Sequence, residues 1–419
     1  MNEVDRLSGR SVVPVLESDR ARRQWSAAEP DSIDALQVVY KVAERCNINC
    51  TYCYYFNMGE ETPFARPKLA SAQVTDGLGQ WIAQGCDELR IPHAKISFHG
   101  GEPTLMGVKG FGDACRRLRA TIEPVARVSI SIQTNGLTVD ERWIEQFVEH
   151  AVGVGVSIDG PQTANDRYRL DYRGRSTFSR TEDAIRRLVD AQQAGGPRPS
   201  TISVLHHGND YRAIYRYLRG LGVRELNFLL PDRNLDDADF VGCGLAAEYG
   251  RCLSDIFLEW LEEDDSSIHI KFIDQMMSHF KYSATPGQVF RHHKKTNQVV
   301  IARSDGTVAI DDSFIPALEW YKNAPVYWTE RSTLREFLAD PIFCEIEATS
   351  NALPSGCQGC RWQHICRGGD LENRFSTERG FDNPSVYCDA YKVMYEEVCA
   401  ALVRSGYPAD LIATKFGEP

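Results

Sequence analysis

The sequence predicts an α/β protein: a partial (β/α)6 TIM-type barrel followed by a smaller cysteine-rich domain. Three observations support this. Six apolar, β-rich runs alternate with amphipathic helical stretches in the first 240 residues. A hairpin signal lies at Asp305-Gly306, and eight of the thirteen cysteines fall in two groups, at 46–53 and 344–388. Alternating strands and helices are typical of a parallel sheet covered by helices, and six units are too few to close an eight-stranded barrel.

The six strands are expected near Val38–Ala43, Ala94–Phe98, Val128–Gln133, Val152–Ile158, Thr201–Leu205 and Leu226–Leu230. The amphipathic stretches between them include Thr75–Gln84, Arg142–His150, Arg180–Ala194 and Tyr211–Leu221. Active sites in such barrels lie at the carboxyl ends of the strands. We therefore look for chemistry in the residues that follow each strand.

The pattern changes after about residue 240. Helices are expected over Leu245–Glu263 and Phe272–His279, a hairpin over 299–310 because Asp-Gly favours a tight turn, and a final helix over Ala390–Val403. We therefore expect five segments, namely an N-terminal arm over 1–35, the barrel over 36–240, a helical bridging region over 241–295, an auxiliary cysteine-rich domain over 296–400 and a C-terminal tail over 401–419.

Composition narrows the class of protein. The 419 residues carry a net charge of −11, which argues against nucleic acid as a main partner, since phosphate binding needs basic patches. The polar start, 1–10, has no apolar core for a signal peptide, and no apolar run approaches the roughly 18 residues of a membrane span. Thirteen cysteines in a reducing compartment indicate metal binding or redox work rather than disulfides. We expect a cytoplasmic enzyme.

The loop Cys46-x3-Cys50-x2-Cys53 is the most specific chemical signal. A [4Fe–4S] cluster normally takes four cysteines, so three leave one iron open. The alternative is a zinc site, which generally needs four ligands, and no fourth Cys or His lies close by. Placed directly after an apolar run, this loop resembles the radical S-adenosylmethionine (SAM) superfamily, in which the open iron binds SAM. The resemblance implies that Tyr52 lies against the adenine.

Polar motifs follow the next three predicted strands. They are Gly100, Gly101, Glu102 and Pro103 after the second strand, Gln133 and Asn135 at the third, and Ser157 and Asp159 at the fourth. Glycines let a backbone approach a ligand closely. In the family that the loop resembles, the first motif holds the SAM amino group, and the others hold the ribose and the SAM carboxylate. Arg167 or Arg169 is the candidate partner of that carboxylate, and the sequence does not choose between them.

The C-terminal cysteines Cys357, Cys360, Cys366 and Cys388 resemble the outer-cluster ligands of the SPASM domain, an auxiliary-cluster module of peptide-modifying radical SAM enzymes. Two inner-cluster positions of that domain hold Asp311 and Asp370 instead of cysteine. We therefore expect one auxiliary [4Fe–4S] cluster. The alternative is a zinc site of similar spacing, and Cys344 has no assigned role.

A general base is expected near the hairpin. In sulfatase-maturing relatives of this family an aspartate next to the inner-cluster position takes a proton from the substrate, which implies that role for Asp312. Asp311 is the rival candidate, and an aspartate of a surface turn is the alternative for either. A carboxylate at the barrel mouth suits proton transfer when it is partly desolvated.

The resemblance implies a function. Its finer motifs, such as Cys366–Phe375 and Asn227–Asp232, resemble cyclophane-forming (triceptide) maturases, which join an aromatic ring to a side-chain Cβ of a ribosomally made peptide. The expected partners are a precursor peptide, with a leader and an aromatic core, and a reductant such as flavodoxin or ferredoxin. The alternatives are a formylglycine-generating sulfatase maturase, a thioether cross-linking enzyme and, outside enzymes, an iron–sulfur electron carrier or scaffold.

Overall fold

A computed structural model describes residues 33–281 and 299–416. Most of the strands form one sheet. Its members are β1 (Leu36–Ala43), β3 (His93–Gly100), β4 (Arg127–Thr134), β5 (Val152–Ser157), β7 (Pro199–Val204), β8 (Glu225–Leu229), β9 (His269–Ile270), β10 (Val299–Arg303), β11 (Thr307–Ala309) and β12 (Val326–Trp328). A separate two-stranded sheet is formed by β2 (Asn49–Cys50) and β6 (Arg169–Leu170).

The sheet order confirms the barrel. The strands run β12-β11-β10-β1-β3-β4-β5-β7-β8-β9. From β10 through β1 to β9, every neighbouring pair is parallel. The six predicted strands are β1, β3, β4, β5, β7 and β8, in chain order, and helices connect them as a βα repeat requires.

The hairpin of the C-terminal half extends the barrel sheet. Strand β10 pairs in parallel with β1, with Val38 opposite Val300 and Lys41 opposite Arg303. Strands β11 and β12 then continue the sheet in antiparallel fashion. The residues that follow β11 are therefore held beside the first barrel strand, which is also the strand that leads into the cysteine loop.

The longer helices of the barrel half are Ala72–Glu88, Gly107–Ile122, Glu141–Glu149, Phe178–Gln193 and Tyr211–Gly220. The C-terminal half adds Leu245–Glu263, Lys271–His279, Leu334–Leu338, Pro341–Asn351, Cys388–Arg404 and Ala409–Lys415. Several begin at side-chain caps: Ser71, Asp140 and Asp210 each accept hydrogen bonds from backbone N–H groups of the first turn, as helix starts prefer. Among the described residues, no helix has the length and apolar character needed to cross a membrane.

The two faces of strand β1 differ: one packs against the covering helices and the other faces the barrel interior. Val38, Tyr40 and Val42 are fully buried; the Tyr40 hydroxyl lies 2.9 Å from Thr75 Oγ1 on a covering helix. Successive side chains of a strand point to opposite faces, so Lys41 faces the barrel interior, where it is also fully buried. A lysine inside a barrel requires a partner.

The final helix packs tightly on the bridging helix. Gly250, in Leu245–Glu263, leaves no room for a side chain, because a Cβ there would lie 2.7 Å from the carbonyl oxygen of Ala390. Ala390 belongs to Cys388–Arg404, so this contact fixes the helix that begins at the last cysteine of the C-terminal group. Residues 1–32, 282–298 and 417–419, and with them most of the expected arm and part of the bridging region, lie outside the described residues.

Candidate active site

The cysteine loop connects β1 to the first short helix and is pinned by the small second sheet. Cys50 in β2 pairs with Arg169 in β6. Burial raises the pKa of the Cys46 thiol to about 12 and that of Cys50 to about 11, while Arg169 lowers the latter; burial also raises the pKa of Cys53. Buried thiols form thiolates only when a cation or metal compensates the charge. Three such thiols in one loop fit the ligand set of an iron–sulfur cluster.

Gly100 and Gly101 hold the entry to this loop. The N–H of Gly101 donates to the Ala43 carbonyl (2.7 Å), and the N–H of Glu102 donates to the Arg45 carbonyl (2.8 Å). A Cβ on either glycine would overlap the backbone of Ala43 or Arg45, and Gly100 has φ +144°, a conformation suited to glycine. The close approach expected for a ligand is thus made to the chain's own backbone.

Glu102 is buried between the ends of β3 and β4. Its Oε1 accepts hydrogen bonds from the Thr104 hydroxyl (2.6 Å) and the Thr134 hydroxyl (2.7 Å), and its Oε2 accepts from the N–H of Asn135 (2.8 Å). Burial raises the pKa of Glu102, and these hydrogen bonds oppose the rise. Pro103 begins the adjoining 3-10 turn, Pro103–Met106.

Asn135 connects this cluster to the cysteine loop. Its Nδ2 donates to Asn47 Oδ1 (2.7 Å) and lies 3.9 Å from Cys46 Sγ. Between the neighbouring strands β4 and β5, Gln133 Nε2 donates to the Ser157 hydroxyl (2.8 Å). The residues expected at the ends of the third and fourth strands therefore do lie at one edge of the sheet, next to the loop.

Tyr52 lies at the centre of a buried polar network. Its hydroxyl donates to Asp159 Oδ2 (2.9 Å) and accepts from Arg169 Nη1 (2.7 Å). Arg169 is buried, whereas Arg167 donates to Asn209 in an exposed contact. The structure thus places Arg169, and not Arg167, against the cysteine loop. Which of them meets a SAM carboxylate stays a prediction.

His206 and Tyr168 join this network without any signal in the sequence. The two rings stack with centroids 3.8 Å apart, and the His206 ring lies 5.3 Å from that of Tyr52. His206 lies two residues past the end of β7 and is 6% exposed, and its Nε2 has no hydrogen-bond partner among the described residues. A histidine two residues past a strand is a common feature, so sequence position alone does not single it out.

Asp312 faces the barrel interior. Its Oδ2 lies 2.5 Å from Lys41 Nζ, and its Oδ1 accepts a hydrogen bond from the hydroxyl of Tyr54 (3.3 Å). Tyr54 directly follows Cys53, and burial, with the charge of Asp312, holds its pKa well above the usual range. The ammonium of Lys41 also lies 4.3 Å from the ring centroid of Tyr55, a cation–π distance.

The neighbouring groups separate the two candidate bases. Asp311 caps the 3-10 helix Asp312–Ala317 by accepting from the N–H of Ser313 (3.0 Å), so its carboxylate serves the local turn. His99 lies opposite Lys41 in the sheet, and burial, then the charge of Lys41, lowers its pKa to about 3. His99 is therefore neutral near pH 7, and Asp312 is the carboxylate that faces Lys41.

The four C-terminal cysteines surround one small cavity. It is lined by Cys357, Cys360, Cys366 and Cys388 together with Tyr391 and Tyr395. Burial raises the pKa of Cys366 to about 12, and the other thiols add to the rise, which again suits ligands of a metal cluster. Within the described ranges, no three His, Cys, Asp or Glu side chains are arranged as ligands of a single metal ion.

The two aspartates at the inner-cluster positions have other contacts. Asp311 caps a 3-10 helix, as described, and Asp370 lies at the N-cap of a second one, Leu371–Arg374. Burial raises the pKa of the Tyr391 phenol well above its usual range, and the charge of Asp370 adds to the rise. None of the thirteen cysteines forms a disulfide with another described cysteine.

The fold and the cysteine loop define a class of protein. Residues 40–219 match the family model described as Radical SAM superfamily. This stretch runs from β1 to the helix before β8, so this part of the chain matches a radical SAM domain, and the comparisons support the enzyme class of that superfamily. SAM and a [4Fe–4S] cluster are its cofactors, and the residues of the loop fit them.

Among its relatives are anaerobic sulfatase-maturating enzymes. A cysteine-type enzyme of Clostridium novyi (strain NT) is 24% identical over 369 residues, which cover 86% of this chain and 94% of the relative. A serine-type enzyme of Bacteroides thetaiotaomicron is 26% identical over 386 residues, covering 86% and 88%. The solved structure of native anSMEcpe with bound AdoMet has a TM-score of 0.74 at 21% identity, covering 88% of this chain and 98% of that one.

The solved structure of a second enzyme has a similar fold. Streptococcus suis SuiB bound to S-adenosylmethionine has a TM-score of 0.58 at 13% identity, covering 84% of this chain and 77% of that one. These two structural likenesses show the fold. They confirm the α/β barrel followed by a SPASM-type half.

The comparisons correct the expected reaction. The predicted closeness to cyclophane-forming enzymes, and with it C–C cross-linking of an aromatic ring, is wrong: relatives that match over 80% of the chain or more are named for sulfatase maturation, both cysteine-type and serine-type. The motifs that suggested a cyclophane enzyme, Asn227–Asp232 and Cys366–Phe375, are short, and a few matching residues carry less weight than a match along most of the chain. The comparisons favour the formylglycine alternative over it.

Proposed function

We propose that this chain oxidises a cysteine or serine side chain of a peptide or protein substrate to the aldehyde of formylglycine. The observation that carries the proposal is the buried Asp312, ion-paired with Lys41 and hydrogen-bonded to Tyr54, beside the cysteine loop. The names of the relatives support the reaction class, and the solved structure of native anSMEcpe with bound AdoMet and Cp18Cys peptide supports the substrate class.

The reaction needs three particles removed from the substrate. A serine –CH2–OH becomes –CHO by losing a hydrogen atom from Cβ, a proton from oxygen and one electron. A cysteine loses the same particles to give a thioaldehyde, and water then releases hydrogen sulfide. When bound, SAM and its cluster at the loop cysteines would supply the radical that takes the hydrogen atom, and a cluster at the C-terminal cysteines would accept the electron.

Asp312 receives the proton in this proposal. The Lys41 ammonium fixes one carboxylate oxygen, and the Tyr54 hydroxyl fixes the other. A base held by two neighbours loses little freedom when the substrate binds, which favours proton transfer. The side chains of Lys41 and Asp312 are 0% and 5% exposed, so water does not compete with the substrate for the carboxylate.

The cofactor sites follow the same proposal. Cys46, Cys50 and Cys53 would hold the SAM cluster, with SAM lying towards Tyr52 and Arg169. The four C-terminal cysteines would hold one auxiliary [4Fe–4S] cluster, since the two inner-cluster positions hold Asp311, whose carboxylate caps a 3-10 helix, and Asp370 in place of thiols. A flavodoxin or ferredoxin would donate the first electron, and a cytoplasmic setting would keep the cysteines reduced.

The test uses two matched peptides that differ only in a central Cys or Ser. The iron-loaded protein is incubated anaerobically with SAM, a reductant and each peptide, and the product is identified by mass spectrometry and by trapping of the aldehyde with a hydrazide. An aldehyde from either peptide supports the proposal. A cross-linked product, with no aldehyde from either peptide, overturns it.

A matched pair of variants tests the assigned base. Asp312→Asn removes the proton acceptor, whereas Asp311→Asn alters only the helix cap. We expect aldehyde formation to be lost in the first variant and kept in the second. The reverse result would transfer the role to Asp311.

A further inference from the structure

Arg374 is a buried cation beside the cavity of the four C-terminal cysteines. Its side chain is 1% exposed. Gly368 lines the cavity, and a Cβ on Gly368 would lie 3.7 Å from Cδ of Arg374. The groups whose charge acts on this guanidinium include the thiols of Cys357 and Cys366. The residue therefore lies within electrostatic reach of two of the four ligands.

The charge of Arg374 lacks a close carboxylate partner. In the part of the chain that the structure describes, no carboxylate oxygen lies within 4.0 Å of its guanidinium. Asp382 acts on it from further away and is itself engaged by Ser355 and Arg379. A buried cation that has no nearby anion is strongly unfavourable.

The hydrogen bonds that Arg374 donates go to neutral backbone carbonyls. Arg374 Nε donates to the carbonyl oxygens of Phe381 (3.0 Å) and Asn383 (3.1 Å). These bonds fix the orientation of the side chain but supply no compensating charge. Besides Asp382, the cysteine cavity is the source of negative charge that acts on this guanidinium.

We propose that Arg374 is a positioning residue that supplies the counter-charge for an anionic iron–sulfur cluster on the four cysteines and raises its reduction potential. A [4Fe–4S] unit with four thiolates is an anion, and its negative charge grows by one on reduction. A buried cation therefore stabilises the reduced form more than the oxidised form. The inference rests on the auxiliary cluster of the proposed function and names what makes that cluster an electron acceptor.

The test is a redox titration of the auxiliary cluster alone. The three loop cysteines are replaced by Ala, so that only the C-terminal cluster contributes to the electron paramagnetic resonance signal. In this background we compare Arg374→Met, Arg374→Lys and a control, Arg361→Met, which removes an exposed arginine next to Cys360. Iron is quantified in each protein.

Arg374→Met should lower the equilibrium constant for one-electron reduction about tenfold, which is a shift of about 59 mV to more negative potential. Arg374→Lys should stay close to the parent, and Arg361→Met should not shift because solvent screens its charge. Loss of iron from Arg374→Met alone also supports the proposal.

Two results overturn the inference. Equal potentials in Arg374→Met and its parent would show that the cation does not act on the cluster. Loss of iron from both Arg374 variants would show that the guanidinium serves only to hold the loop through the Phe381 and Asn383 carbonyls. A parent protein that holds zinc or no iron would instead refute the auxiliary cluster itself, whereas aldehyde formation is tested separately.

Discussion

Lys41→Met should destabilise the protein because it leaves the Asp312 carboxylate buried without a cation. Lys41 Nζ and Asp312 Oδ2 lie 2.5 Å apart, and the two side chains are 0% and 5% exposed. At an effective dielectric constant of about 20 the gross attraction at this distance is roughly 7 kcal/mol. Measured losses on breaking one partner of a buried pair are smaller, about 3–5 kcal/mol, and we expect a loss of that size in the free energy of unfolding.

The assay is anaerobic thermal unfolding, followed by circular dichroism, of matched iron-loaded proteins. A loss of that size corresponds to a fall in Tm of roughly 10 °C for a barrel of this length. The double variant Lys41→Met with Asp312→Leu removes both charges and should recover most of the loss, since apolar replacement of a buried pair is often neutral.

A surface pair is the matched control. Arg117 and Asp76 lie 2.7 Å apart, but their side chains are 45% and 41% exposed, so Arg117→Met should cost only about 0–1 kcal/mol. If Lys41→Met lowers Tm no more than this control does, the Lys41–Asp312 pair is not the stabilising contact described above, and the argument that Lys41 holds the base fails with it.

Three further outcomes are expected. The reconstituted protein should hold about eight irons, falling to about four when the loop cysteines are replaced by Ala; about twelve irons would mean that the inner cluster forms despite its aspartates. Asp312→Asn should reduce product formation more than substrate-free SAM cleavage, measured as 5′-deoxyadenosine, and an equal loss of both would indicate a structural role. Gly101→Ala should lower the iron content of the loop, because its Cβ would overlap the Arg45 backbone, while Gly77→Ala, whose Cβ would have an ordinary 3.6 Å contact in a helix, should keep it; normal iron in Gly101→Ala would contradict the packing argument.

The order of strands could be read from the sequence because it depends on local pattern. Each predicted barrel strand overlaps an observed one, and Leu245–Glu263 has the observed bounds, since an amphipathic helix carries its signal in its own residues. The helix Gly107–Ile122 was not among the predicted stretches; its three glycines at 107, 110 and 112 weaken the helical signal. Tertiary packing stabilises it, with Phe111 and Leu118 fully buried.

The placement of the glycine pair and of the two pairs of rival residues required the tertiary structure. The sequence offered Arg167 and Arg169 as equals, and strand pairing of β6 with the cysteine loop places only Arg169 inside. It likewise offered Asp311 and Asp312, and the turn after β11 directs one to a cap and the other to Lys41.

The sequence by itself determined the class of enzyme, because the cysteine spacing and the βα repeat are local patterns. The tertiary structure decided which side chains meet: Tyr52 bonds Asp159 across 107 positions of the chain, and Tyr54 bonds Asp312 across 258. Such pairs form because parallel strands bring their carboxyl ends to one edge of the sheet and because β10 adds the C-terminal hairpin beside β1. The spacing of these residues along the chain does not indicate that they meet in the fold.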